Sequence, residues 1–203
     1  VAEELGLPED TEVVAVGSHD TASALFAVPF PPGRASRCAF LSSGTWSLLG
    51  VELEQPVLTE EARLAGFTNE GCVGGRIKFL QNITGLWILQ RLMKQWEAQG
   101  KDVSYDTLLG AAAKSGIGSL IDVDDSRFAN PADMQQAIAD YCRETGQEVP
   151  ETEGGYVMCV LRSLATRYKK GIDGLNTLLP EPVEQLHIIG GGSRNKLLNR
   201  LTE

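Results

Sequence analysis

The stretch Leu186-His187-Ile188-Ile189-Gly190-Gly191-Gly192-Ser193-Arg194-Asn195 decides the fold. Residues 186–189 read as a short buried strand, and Lys196 onward turns helical. Three consecutive glycines between them are entropically expensive, so something requires a close approach of the backbone. A nucleotide lying against the loop is one candidate, and close helix–strand packing is the other. The run is not G-x-G-x-x-G, because position 195 is Asn, so a dinucleotide site of that type is a poor fit. No G-x-x-x-x-G-K-[ST] run occurs either.

Working outward, 38–41 and 45–53 are strand candidates around Ser42-Ser43-Gly44, which predicts a hairpin. Phe67-Thr68-Asn69 and 76–80 flank Gly71, Gly74 and Gly75 and predict a second hairpin. Val13-Val14-Ala15-Val16 has the pattern of a buried strand, followed by a helix over 20–28. Helices are predicted at 82–99, 104–114, 132–144 and 154–179. The last carries a stripe of Val157, Leu161, Leu164, Tyr168, Ile172, Leu175 and Leu179. The class is therefore mixed α/β, with glycine loops at strand ends, where open sheets place ligands.

The chain has 203 residues, 42% hydrophobic and 22% charged, enough apolar material for a real core. Acids outnumber bases 27 to 18, a formal charge of −9, which disfavours nucleic acid as a partner. No apolar run reaches membrane-spanning length, so no membrane partner is expected. Four cysteines without a C-x-x-C pair, and only two histidines, disfavour a structural zinc site and fit a reducing, cytoplasmic setting. Cys142 and Cys159 fall near the end of one predicted helix and early in the next, which predicts that they lie close together. The chain begins without Met and stops at Leu201-Thr202-Glu203 inside a predicted helix, as a piece of a longer protein would.

Several segments can carry chemistry. Asp20, in Gly17-Ser18-His19-Asp20-Thr21, stands between a strand and a helix, where a carboxylate can take a proton from a substrate hydroxyl or simply cap the helix. Ser42-Ser43-Gly44-Thr45 can cradle phosphate oxygens or form an ordinary turn. Gln90 and Asn82 project onto the apolar arc of the helix predicted over 82–99. Buried amides need partners, either protein backbone or a ligand.

Taken together and in order, these runs resemble the FGGY family of carbohydrate kinases, over about residue 10 to the end. The matching stretches are 19–24, 41–48, 68–71, Asn82-Ile83 with Gly85-Leu86-Trp87 and Gln90, 142–145, and 186–198 around the glycines. Within the family, the Ser43-Gly44-Thr45-Trp46 run and the 82–90 segment resemble the branch acting on L-rhamnulose. The resemblance implies an actin-like, ribonuclease-H-like ATPase fold, incomplete here at both ends. Residues 1–33 would be the tail of a first domain and 34–203 most of a second, nucleotide-side domain. It implies ATP and Mg²⁺ as cofactors and transfer of the γ-phosphate to the 1-hydroxyl of the sugar. Asp20 would be the proton acceptor, with His19, Thr21 and Asn82 beside the sugar and Thr45, Gln90 and Gly191 on ATP. Another ketose or polyol kinase (for xylulose, ribulose or glycerol) and a non-catalytic ATPase-fold module compete with this reading. The carboxylate at Asp20 argues against the module.

Overall fold

The structure, a computed structural model, describes residues 2–8, 10–12, 17, 19–101 and 103–203. The strand expected at 13–16 lies outside the described residues. Among the described residues, a five-stranded sheet organises the chain, in the order β3-β4-β2-β1-β5. β1 (Cys38–Ser43) and β2 (Trp46–Leu53) form the expected hairpin, with Ser43 opposite Ser47. β3 (Thr68–Gly71) and β4 (Ile77–Thr84) form the second. β5 (Gln185–Ile189) lies parallel to β1, with Ser42 opposite Ile189, so both strands end at the same edge of the sheet. Among the described residues, seven helices accompany it: α1 (Asp20–Phe26), α2 (Glu60–Leu64), α3 (Trp87–Ala98), α4 (Tyr105–Ala112), α5 (Met134–Glu144), α6 (Glu153–Leu178) and α7 (Lys196–Thr202). The mixed α/β class expected from the sequence is what forms.

Alternation divides the sheet into two unlike faces. One carries Leu41, Leu49, Ile83 and, further along, Ala39, Val51 and Phe79, all buried at the helical layer. α6 crosses this face. Val157, Leu161, Leu164, Tyr168 and Leu175 of the expected stripe are buried, while Ile172 is half-buried and Leu179 is the residue that closes the helix. Each fully buried aliphatic side chain contributes about 1.5–3 kcal/mol. Two glycines let α6 come close. A Cβ on Gly171 would sit 2.4 Å from Leu49 Cδ2, and one on Gly154 would sit 2.7 Å from the Ala111 carbonyl carbon of α4. The other face carries Phe40, Leu80 and Leu48 and is covered by Leu25, Val28 and Phe30 from the α1 segment. It also holds Lys78, 1% exposed, whose Nζ lies 2.9 Å from Glu70 directly across the β3–β4 ladder. A buried ammonium needs such a partner.

The helix expected from residue 82 begins instead at Trp87. Residues 77–84 stay in β4 because they pair without a break along β2, Leu48 opposite Asn82 and Trp46 opposite Thr84. The buried arc of α3 is then Ile88, Leu89, Leu92 and Trp96, and Gln90 falls outside it. Both amides read as buried, Asn82 and Gln90, are exposed.

Cys142 of α5 and Cys159 of α6 are buried free thiols close enough to influence each other's ionisation, which meets the expected proximity. Burial, reinforced by its neighbour Cys142, pushes the Cys159 thiol up to about 12 from its ordinary 9.0. The folded state therefore favours the neutral thiol, while an unfolded chain ionises it from about pH 8.5. This contribution is full below the unfolded pKa and is lost as pH rises towards the folded one. Urea midpoints are expected to fall between pH 8 and pH 10.5, and to fall less in Cys159→Ala. Equal pH slopes for parent and variant would remove Cys159 from the account.

Candidate functional site

The parallel β1–β5 pairing brings two loops to one edge of the sheet: Gly44-Thr45 after β1 and the glycine turn after β5. Ser43 is the contact between them. A Cβ on Gly192 would lie 2.1 Å from Ser43 Oγ, and one on Gly190 would lie 2.7 Å from the Ser43 carbonyl oxygen. Gly190 also has φ +83°, a conformation that favours glycine. Gly191 differs from both: a Cβ there meets nothing within 4 Å. The three glycines thus separate. Gly190 and Gly192 answer to packing, whereas Gly191 borders open space. Asn195 closes the loop, its Oδ1 accepting from the Leu198 N–H at 3.0 Å and its Nδ2 donating to the Tyr105 hydroxyl at 3.1 Å.

The Gly44-Thr45 turn is held by the start of α3. The Leu86 and Trp87 N–H groups donate to the Gly44 and Thr45 carbonyls at 2.9 and 3.1 Å. Gly85 permits this approach, since a Cβ on it would lie 2.6 Å from the Gly44 carbonyl oxygen. One turn further along, Gln90 Oε1 accepts from the Thr45 hydroxyl at 3.2 Å. Thr45 and Gln90, singled out separately from the sequence, are therefore hydrogen-bonded neighbours, both exposed. Beneath the turn, the Tyr168 hydroxyl is 2.8 Å from Ser47 Oγ. Burial raises the Tyr168 pKa, and the Ser47 and Ser43 hydroxyls oppose the rise.

Asn82 lies on β4, on the sheet face away from α6, where it is exposed opposite Leu48. His19 and Asp20 open α1 over that same face. His19, not Asp20, is the N-cap; its Nδ1 accepts from the Thr21 N–H at 3.3 Å. Asp20 is the first helical residue. Its Oδ1 also accepts from the Thr21 N–H, at 2.7 Å, and its side chain is 93% exposed. Thr21 is buried under the helix start. The expectations thus fall into two groups, Thr45–Gln90–Gly191 at the β1–β5 edge and His19–Asp20–Thr21 with Asn82 on the open face. Among the described residues, no three of His, Cys, Asp and Glu gather into a metal-binding cluster.

Sequence reading missed Ser43 as the residue that shapes the glycine turn. The signal was a hydroxyl at the end of the inward series Ala39, Leu41, Ser43, where a third apolar residue would be expected. It also missed Ser47 and Tyr168, which satisfy one another inside the apolar layer.

Residues 39–202 match the C-terminal domain of the FGGY family of carbohydrate kinases. The chain is 51% identical over 191 residues to a rhamnulokinase of Bacteroides thetaiotaomicron, covering 94% of this chain and 38% of that protein. It is 42% identical over 192 residues to a rhamnulokinase of Bacillus subtilis, again 94% of this chain and 38% of the relative. Among solved structures it superposes on xylulose kinases from Rhodospirillum rubrum (TM-score 0.65, 17% identity, 99% of this chain and 39% of that one) and Lactobacillus acidophilus (TM-score 0.59, 12% identity, 99% and 39%). The fold is the actin-like, ribonuclease-H-like ATPase fold that the sequence resemblance implies. The chain belongs to the FGGY family of carbohydrate kinases, and it spans a little over a third of the length of the relatives it matches.

The glycine turn gives a direct contrast. Gly192→Ala forces a methyl into Ser43, an overpacking that costs typically about 1–3 kcal/mol. Gly191→Ala adds a methyl to open space and should melt with the parent. Thermal melts of the two variants check this, and a Gly191→Ala melt as low as that of Gly192→Ala would contradict the assignment.

Proposed function

We propose that this chain is the nucleotide-side part of an ATP-dependent sugar kinase that phosphorylates the 1-hydroxyl of L-rhamnulose. The observation that carries the reading is the shared edge of β1 and β5, where an exposed Thr45 hydroxyl and an unobstructed Gly191 lie on loops that meet at Ser43 and the Gln90 amide of α3 joins Thr45. Backbone and hydroxyl donors of this kind suit phosphate oxygens. The choice of sugar rests on the likeness to proteins named rhamnulokinase.

In this reading Thr45 and Gln90 hold the phosphate end of ATP, and Gly191 leaves room for the nucleotide against the turn. ATP supplies the transferable phosphoryl group. Residues 1–33 are the tail of a preceding domain and bring Asp20 to the sugar, flanked by His19 and Thr21, while Asn82 meets the sugar from the sheet. The sugar O1 forms the new bond to the γ-phosphorus, the bond from that phosphorus to the β–γ bridging oxygen breaks, and ADP departs. The O1 proton passes to an Asp20 carboxylate oxygen. Such a transfer relies on positioning and charge stabilisation more than on covalent help. The Asp20 side chain is 93% exposed, so its carboxylate is open to a substrate hydroxyl while Oδ1 also holds the Thr21 N–H beside the His19 cap.

The test is ADP release by the full-length protein with L-rhamnulose, L-ribulose, D-xylulose and glycerol. L-rhamnulose is expected to give the highest kcat/KM, and a preference for another substrate would move the assignment within the family. Asp20→Asn is expected to lose about 10²–10⁴-fold in kcat. Its melting temperature should hold, because His19 still caps α1 and the Asn side-chain oxygen can accept from the Thr21 N–H as Asp20 does. An active Asn variant would make Asp20 a structural residue.

A further inference from the structure

Trp46 is a large apolar side chain left 58% exposed at the beginning of β2, directly after Thr45. Its direction is fixed by register. Trp46 pairs with Thr84 and Leu48 pairs with Asn82, so alternation puts Trp46, Leu48, Asn82 and Thr84 on one face. That face is the one Leu48 shares with Phe40 and Leu80, opposite the α6 layer. Trp46 and Asn82 are diagonal neighbours across the β2–β4 ladder, about 7–8 Å apart and within reach of an aromatic ring. The α1 segment covers the Phe40–Leu80 rows and leaves this end of the face open.

An exposed indole beside an exposed amide offers two complementary surfaces. The ring presents a broad apolar plane that suits C–H groups, and the amide presents a donor and an acceptor that suit hydroxyls. A sugar uses both. Resting on the proposed function, we infer that Trp46 is a specificity-determining residue: its ring forms the wall against the methyl terminus of a 6-deoxyketose. L-rhamnulose ends in a methyl group, whereas L-fructose is the same ketose with a hydroxyl on that carbon. A methyl group gives up nothing on reaching the indole plane. A hydroxyl loses water there and gains no partner from the ring. An apolar wall of this kind rejects an added hydroxyl by about 10²-fold, not more.

The closing experiment uses the full-length protein and compares kcat/KM for L-rhamnulose and L-fructose. The parent is expected to favour L-rhamnulose by about 10²-fold. Trp46→Gln should cut that ratio at least tenfold, through the KM of L-rhamnulose, with the KM of ATP unchanged. Trp46→Phe should keep most of it. Trp46 is half exposed, so melting should move little. If Trp46→Gln does not fold, Trp46→Tyr, which places a hydroxyl against the same wall, reads the same ratio. An unchanged ratio in a folded variant, even with both activities lowered together, overturns the inference and makes Trp46 a packing residue for another part of the protein. A parent inactive on L-rhamnulose overturns the proposed function and this inference with it. An active parent with an unchanged ratio overturns this inference alone.

Discussion

The close approach of Gly190 and Gly192 to Ser43 is the constraint on which the rest of the site depends. β5 can lie parallel to β1 and turn away at once only if the turn passes over the end of β1 with no Cβ in the way. At 2.1 Å from Ser43 Oγ, a methyl on Gly192 has no place to go, because β1 is locked between β2 and β5. Three glycines in a row cost more conformational entropy than any other tripeptide. Two of them meet that cost by allowing the two loops to share an edge. The third lies in open space, and packing gives no reason for it. A position where the protein itself makes no use of the missing side chain is the natural place to look for a ligand.

From that edge the order propagates through backbone groups. Gly44 and Thr45 offer carbonyls to the first N–H groups of α3, which would otherwise be unsatisfied at the helix start. The turn therefore fixes where α3 begins, and the helical pitch then decides which side chain returns to the turn. Gln90 is that side chain. One helical turn past Leu86, it reaches Thr45 because α3 starts where the turn holds it. Ile88, Leu89, Leu92 and Trp96 meanwhile face the core and keep the helix axis in place. Thr45 and Gln90, 45 residues apart in sequence, meet through a strand turn and a helix start that cap one another.

Much of this was legible in the sequence, for identifiable reasons. Both hairpins followed from alternation broken by Gly and Ser clusters. The stripe of α6 followed from apolar spacings of three and four, sustained over more than six turns. The meeting of Cys142 and Cys159 followed from helix–loop–helix geometry. The start of α3 did not. Ile83 and Leu86 fit a helical arc continued from Leu89, yet Ile83 equally fits the alternation of Phe79 and Gln81 in β4. Local pattern cannot separate these, and the long pairing of β4 with β2 decides for the strand. The misplaced start carried Asn82 and Gln90 with it, and both moved from a supposed buried arc to the surface. The glycine triplet was legible as a close approach of the backbone but not as a division of labour, because only the position of Ser43 tells Gly191 from its neighbours.

The two faces of the sheet differ in what covers them. The helix-covered face carries a continuous apolar layer, and its polar groups bond one another: Ser47 to Tyr168, and Gln81 to Arg167 and the Ala65 carbonyl. A change there is felt as packing. The opposite face is apolar only where α1 reaches, and further along it presents Trp46 and Asn82. Because strand side chains alternate, Asn82 stands on the open face while its neighbours Gln81 and Ile83 point into the core. Substitutions of Asn82 therefore disturb the packing little, whereas those of Gln81 and Ile83 report on the fold. Period-two geometry thus lets a single strand serve the core and an open face at once, with no residue required to do both.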